Sequence, residues 1–345
     1  MKNFAALPIL LLILFLSPIP VALAASDNGA PRYQVTVIAP LPGLDWVALG
    51  DINNSGHAVG ASGSATSSFR VPVIYRNGQV ERLADFRGAA VAVNDFDQVI
   101  GYFGDEENPA EFLWTGGPVI NLTQIAGENL LLVAINNRGE ISGRYHQLDP
   151  EGGQRVFMYR DGVFRTLGAW PGAQPTSMNN LGQIAGFYDG PDGLWHAVLF
   201  RDGGLQELGG LPGAEMSIAY SINDRGDVAG GSFFPGVFQV RTFLYRNGKL
   251  RDIGTLGDNA TSPLRINNSG DILGISAVDS ENFRVFLYHH NKMHDLNDLI
   301  LPNSRWQMFG ADSINDRGEI IGTAIDRENP GIHTVLLTPV DPPKN

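Results

Sequence analysis

The sequence predicts an all-β fold: a seven-bladed β-propeller of four-stranded antiparallel blades, with the ring closed by the N-terminal strand. Three observations carry that expectation. A turn motif recurs seven times at near-constant spacing. Each repeat holds four short β-forming stretches. The last repeat lacks its fourth strand, while an unassigned strand stands at the opposite end of the chain. Composition agrees, since 42 Gly and 21 Pro among 345 residues exceed the roughly 12% of average usage and supply many turns.

The motif is a short apolar stretch ending in Asn, then Asn or Asp, and later a hydrophobic pair followed by Gly. Its anchors are Asn53, Asn94, Asn136, Asn179, Asn223, Asn267 and Asn315, separated by 41, 42, 43, 44, 44 and 48 residues. The third residue after the anchor is Gly56, Gly139, Gly182, Gly226, Gly270 or Gly318, with Asp97 as the exception. The seventh is always glycine: Gly60, Gly101, Gly143, Gly186, Gly230, Gly274 and Gly322. A type I turn closed by a left-handed residue explains the first set. Close backbone approach or a bend explains the second.

Each repeat continues with an apolar stretch closing on an aromatic, as in Phe157-Met158-Tyr159, Phe243-Leu244-Tyr245 and Phe286-Leu287-Tyr288. A tight turn follows, such as Arg160-Asp161-Gly162 or Arg246-Asn247-Gly248, and then a last apolar stretch such as 249–253. Asn-Gly and Asp-Gly between β-formers signal hairpins because both residues tolerate positive φ. The four stretches are strands A to D, and their repeat length is that of a propeller blade. A linear solenoid shares that length, and the chain ends separate the two. The seventh repeat offers strands at 311–315, 319–321 and 333–337 before a Pro-rich tail, whereas 33–38 reads as a strand ahead of Leu41-Pro42-Gly43. Pairing that strand with the last blade closes a ring and removes exposed edges. Repeats over about 45–338 and the closing strand 33–38 make one domain, 25–345.

Ahead of it, Lys2, an apolar run from Phe4 to Leu16 and Ala22-Leu23-Ala24 form the pattern of a secretory signal peptide over 1–24. The run is too short for a membrane span and is followed by Pro18 and Pro20. The expected protein is exported to the periplasm or the medium, monomeric and without a membrane span. The chain has no cysteine, which excludes disulfides, thiolate metal sites and cysteine nucleophiles. Its formal net charge of −12 opposes nucleic-acid binding.

These repeats resemble the HAF-repeat family of bacterial extracellular proteins, whose unit carries an Ile-Asn-x-x-Gly turn, a His-Ala-Phe stretch and a downstream Leu-Gly. The resemblance covers about residues 45 to 338. The name-giving histidine stands here as His196 and His333, and Arg155, Arg241 and Arg284 replace it in three other units. The resemblance implies a secreted repeat protein and no reaction.

In such blades the A–B and C–D turns share one face of the disc, and the B–C loops and D–A connections share the other. The first set is short and uniform, the second longer and divergent, which points to the second as the binding face. Candidate ligand-binding residues there are Tyr102, Asp105 and Glu107 in blade 2, Tyr145 and Asp149 in blade 3, Tyr188, Asp189, Asp192 and Trp195 in blade 4, Asp279 and Glu281 in blade 6, and Asp326 and Glu328 in blade 7. Carboxylates beside aromatics suit Ca²⁺, a cationic ligand or a sugar. The competing explanation is local: Asp caps turns and the aromatics cover blade edges. No cofactor other than Ca²⁺ is suggested. The cluster His289, His290 and His294 lies across a hairpin, and Arg225-Gly226-Asp227 occupies a turn slot that recurs as Arg-Gly-Glu. No nucleophile elbow, zinc helix, phosphate loop or dinucleotide fingerprint occurs, and no catalytic residue is assigned. The leading expectation is a non-enzymatic module for a protein, peptide or glycan. The alternative is an enzyme on extracellular glycans using B–C loop carboxylates as acid and base.

Overall fold

The Asn-anchored turn folds as its residues dictate. In the first repeat the Gly56 N–H donates to the Asn53 carbonyl at 3.0 Å and the Asn53 N–H to the His57 carbonyl at 2.9 Å. That closure places Gly56 at φ +80°, and Asp97, the exception to glycine, adopts the same left-handed conformation at φ 57°. The C–D hairpins behave as expected too: Asn77, Asp161 and Asn247 have positive φ and are each followed by a positive-φ glycine.

The computed structural model describes residues 29–104, 109–150, 152–201, 204–236, 239–257, 260–279, 282–302 and 304–340. The expected leader, 1–24, lies outside them. The chain opens with β1 (Arg32–Val37). Blade 1 is β2 (Trp46–Ile52), β3 (Ala58–Gly63), β4 (Arg70–Arg76) and β5 (Gln79–Arg82). Blade 2 is β6 (Gly88–Val93), β7 (Val99–Phe103), β8 (Ala110–Trp114) and β9 (Ile120–Asn121), followed by α1 (Leu122–Ala126). Blade 3 is β10 (Leu130–Ile135), β11 (Ile141–Leu148), β12 (Gln154–Arg160) and β13 (Val163–Trp170). Blade 4 is β14 (Gln174–Met178), β15 (Ile184–Asp189), β16 (Trp195–Arg201) and β17 (Gly204–Glu207). Blade 5 is β18 (Met216–Ile222), β19 (Val228–Phe234), β20 (Gln239–Arg246) and β21 (Lys249–Asp252). Blade 6 is β22 (Thr261–Ile266), β23 (Ile272–Ala277), β24 (Phe283–His289) and β25 (Lys292–Asp295), followed by α2 (Leu296–Leu299). Blade 7 is β26 (Trp306–Ile314), β27 (Ile320–Asp326) and β28 (Ile332–Val340).

Seven four-stranded antiparallel sheets result, and the seventh takes β1 as its outer strand in the order β1-β28-β27-β26. Tyr33 pairs with Pro339 and Val37 with Val335. The protein is a seven-bladed β-propeller closed by its N-terminal strand, as the unequal ends of the sequence predict. The two short helices, each capped by the residue before it (Asn121 and Asp295), sit in D–A connections and were not signalled by any helical period.

Seven apolar clusters fill the seven seams between successive blades. Ile38, Leu49 and Val73 meet Ile321 and Leu336 across the seam that closes the ring, while Tyr33 packs into the seam between blades 6 and 7. Phe112, Phe157, Phe200, Phe243 and Phe286 on the C strands are fully buried, each contributing on the order of 1.5–3 kcal/mol. The second glycine of the motif makes this packing fit. A Cβ on Gly101 would lie 2.2 Å from the Ala89 carbonyl oxygen and 2.8 Å from the Phe112 ring. Opposite it strand A carries a β-bulge, with Val91 the extra residue between Ala90 and Ala92. The same bulge recurs in all seven A strands.

Candidate functional site

The A strands surround the bore, and its mouth at the A–B turns is a depression of about 170 Å³. Two closed rings of hydrogen bonds run round it. The buried anchor asparagines form the first: each Nδ2 donates to the carbonyl of the next blade's anchor at 2.9–3.2 Å, and Asn315 returns to Asn53. Each Oδ1 accepts from the N–H four residues on, which is the local turn bonding expected of Asn. The second ring uses the following residue, Asn54, Asp95, Asn137, Asn180, Asp224, Asn268 and Asp316. Each backbone N–H donates to the side-chain Oδ1 of the next member at 2.7–2.9 Å. These polar groups answer one another, so the mouth is a clasp between blades.

Deeper in the bore, Asp312 is the extra residue of its bulge and Asp51 accepts from the Val93 N–H and the Ser313 hydroxyl. Asp312 is solvent-accessible. Desolvation raises it to about 6 against the opposing field of Arg265. Asp51 is raised for the same reason.

On the opposite face, the predicted site residues mostly serve their own loops. Asp279 accepts from the Asn282 N–H and side-chain amide at 2.9 Å. Asp192 accepts from the Leu194 N–H and contacts His196 at 3.0 Å, and those bonds hold its carboxyl below the ordinary range. Asp149 accepts from the Gly153 N–H. Asp326 is buried; desolvation pushes it up, but the Glu328 N–H and the Asn329 N–H, with Arg305 nearby, hold it low overall. Glu328 is exposed, 3.7 Å from Arg305. Asp189 closes on the Pro171 carbonyl through its backbone N–H. Tyr145 is buried under Arg155, whose guanidinium carbon lies 4.2 Å from the ring centroid. Tyr188 is buried with its hydroxyl on Glu207, and burial raises it to about 12. Trp195 packs between Phe187 and Phe233. Asp105, Glu107 and Glu281 lie outside the described residues. Among the described residues no group of three or more His, Asp or Glu side chains is gathered as a metal ion requires.

The His/Arg alternation of the third repeat position also has a local cause. His196 lies 3.5 Å from Glu207, Arg241 2.8 Å from Asp252 and Arg284 3.5 Å from Asp295. In these three blades the side chain faces an acid on strand D, a task that either residue performs, whereas Arg155 meets Glu128 of the preceding connection and His333 packs edge-on against Trp306.

Two predicted residues line cavities on this face: Asp149 borders an open one of about 730 Å³ with Glu128, Gln147 and Arg155, and Tyr102 lines one of about 320 Å³, together with Arg70, Arg87, Glu111, Leu131 and His146. Blades 1, 2 and 3 all contribute to the latter. Arg70 donates to the Tyr102 hydroxyl at 2.9 Å. Glu111 pairs in register with Tyr102 and is buried, at 3% exposure. Desolvation raises its carboxyl to about 8, only partly offset by the Leu132 N–H, so it is neutral at pH 7 and can donate a hydrogen bond. Desolvation and then the charge of Arg144 lower His146. The other blades place Pro72, Val156, Ala197, Thr242, Val285 and Thr334 opposite the same strand B position as Glu111. Sequence reasoning missed Arg70, Arg87 and Glu111 as a site. The available signal was that one carboxyl in a column of small or apolar residues. The cavity offers one proton-donating carboxyl and, among its described lining, no second carboxylate for glycoside chemistry.

No protein-family model matches the sequence, and no curated protein sequence matches it. Solved structures match its fold. The acylaminoacyl peptidase of Pyrococcus horikoshii superposes with a TM-score of 0.58 at 10% identity, covering 85% of this chain and 51% of that one; this chain thus spans about half the length of that peptidase. A puromycin-hydrolyzing peptidase of Mycobacterium tuberculosis gives 0.52 at 10% identity, covering 87% and 56%. The β-propeller domain of the trilobed protease of Pyrococcus furiosus, described as having an open velcro topology, gives 0.55 at 10% identity over 85% of this chain and 94% of that domain. At such identities the likeness is one of fold: this chain is similar to the propellers of these peptidases.

Proposed function

We propose that this protein is an exported propeller of the HAF-repeat type that acts as a binding module, taking a protein, peptide or glycan on the face formed by the B–C loops and D–A connections. The observation that carries this reading is the blade 1–3 cavity on that face, with charged and aromatic side chains converging where the repeat pattern breaks. On the opposite face the mouth of the bore is spent on the two closed rings of Asn and Asp side chains. The likeness to peptidase propellers supports the module architecture and no reaction. Among the described residues no helix is long and apolar enough to cross a membrane.

The test is a glycan array and a peptide-display library probed with the wild type, with Leu131→Lys at the cavity and with Phe96→Lys on an exposed A–B turn. Binding should be lost with the first variant and kept with the second. Hits that vanish only with Phe96→Lys, or the absence of hits from both libraries, would overturn the assignment.

A further inference from the structure

The arginines on the B–C face differ in their partners: several meet an acid, while Arg144 donates to Gln154, Arg327 meets no acid among the described residues, and two more without an acid share one cavity. Arg155, Arg241, Arg284 and Arg305 each meet an acid: Glu128, Asp252, Asp295 and Asp326. Arg70 and Arg87 meet none among the described residues. Arg70 donates to the Tyr102 hydroxyl, with its guanidinium carbon 5.7 Å from that ring centroid, and its Nε is buried without a hydrogen-bond partner, as are those of Arg144, Arg155 and Arg241. Both line the same cavity. Two guanidinium groups without counter-ions, one carrying a buried unsatisfied donor, are costly arrangements that a ligand anion would relieve. Their occurrence is the more telling in a chain of net charge −12.

We propose that this cavity binds the carboxylate of a small acid up to the size of one sugar ring, such as a uronic acid, with Arg70 and Arg87 as charge partners and Glu111 as a hydrogen-bond donor. The proposal rests on the reading that the B–C face is the binding face. A planar two-oxygen anion matches guanidinium forks. Leu131 and the Tyr102 ring offer the apolar wall that the rest of a sugar needs, and a volume of about 320 Å³ accommodates one ring. The charged and titratable groups lining the cavity with Glu111 are Arg70, Arg87, Tyr102 and His146. Arg144 lies on the strand of His146 and donates to Gln154. Neutral Glu111 donates to the anion; ionised, it repels it.

The experiment is calorimetric titration of the full chain with sodium glucuronate, glucose and inorganic phosphate at pH 6.5 and 9. Glucuronate should saturate, with glucose at least tenfold weaker. Arg87→Ala should weaken glucuronate at least tenfold, and Arg87→Lys, which keeps the charge, by less. Affinity should fall about tenfold between the two pH values in the wild type, but not in Glu111→Gln, whose amide still donates. The proposal is overturned if glucose equals glucuronate, if phosphate binds tighter, if Arg87→Ala has no effect, or if the alkaline loss persists in Glu111→Gln. Neutral sugars that bind in a Leu131→Lys-sensitive way while glucuronate does not would refute the carboxylate assignment and leave the binding face standing.

Discussion

Glu111 makes the stability of the propeller depend on pH in a way that one substitution isolates. Its carboxyl is raised from an ordinary value of 4.5 to about 8 because blade 3 packs over it. In the unfolded chain it ionises near the ordinary value; in the folded chain it holds its proton until about 8. Stability is therefore greatest below the unfolded value, declines as pH rises, and levels off above the folded value. Each pH unit between the two is worth about 1.4 kcal/mol, so the full loss is on the order of 5 kcal/mol. At roughly 2 °C per kcal/mol for a domain of this size, that is about 10 °C in melting temperature. Glu111→Gln keeps the shape and removes the proton. Melting followed by circular dichroism from pH 4.5 to 9.5 should show the variant gaining on the wild type through pH 5–8, then a constant difference. Asp51 and Asp312 are raised too, and His146 is lowered, but both proteins share these contributions and the difference cancels them. A difference independent of pH would refute the reasoning.

Deleting 32–38 should abolish the monomeric fold, because it uncovers the edge of β28 and takes Tyr33 from its seam; a monomer by sizing with unchanged melting would contradict ring closure. Gly101→Ala should cost more than about 2 kcal/mol in denaturant titration, since its Cβ meets a backbone carbonyl, whereas Gly117→Ala, with open space around it, should stay within about 0.5 kcal/mol; equal costs would refute the close-approach account. In the second ring, Asn54 donates to both Asp95 and Asp316, while Asn180 donates only to Asp224. Asn54→Asp should thus cost roughly 3–6 kcal/mol and Asn180→Asp roughly half that, at about 1.5–3 kcal/mol per charge-assisted bond; equal costs at pH 8 would refute it.

The fold was legible because a repeat writes its constraints seven times. The anchor asparagine, the left-handed turn residue and the glycine opposite the bulge each answer a backbone requirement, and such requirements fix residue type. The bulge itself was not legible, since Gly50, Val91, Val133, Thr176, Tyr220, Leu264 and Asp312 share no chemistry; the extra residue is a backbone irregularity that no one side chain imposes. The candidate site was hidden for a different reason. Counting carboxylates and aromatics on long loops selected residues such as Asp192 and Asp279, whose partners lie within their own turns. Glu111 and Arg70 sit inside or at the start of strands and become neighbours only when blades 1, 2 and 3 are laid side by side. Departure from the repeat was the better guide than enrichment in polar residues.

The composition of the second ring follows from parity. Each Asp there accepts from the backbone N–H of the preceding member and from flanking amide side chains, as Asp224 does from Asn180 and Asn268. Two carboxylates side by side would lose those amide donors and repel. In a cycle of seven, no more than three members can be chosen without two being adjacent. The chain carries three, Asp95, Asp224 and Asp316, and the one amide–amide neighbour pair that an odd cycle forces is Asn137 with Asn180. The ring thus holds as many carboxylates as its amide donors can satisfy. Every further acid would be placed against an existing one, which is why the mouth of the bore is a closure device and the ligand is sought on the other face.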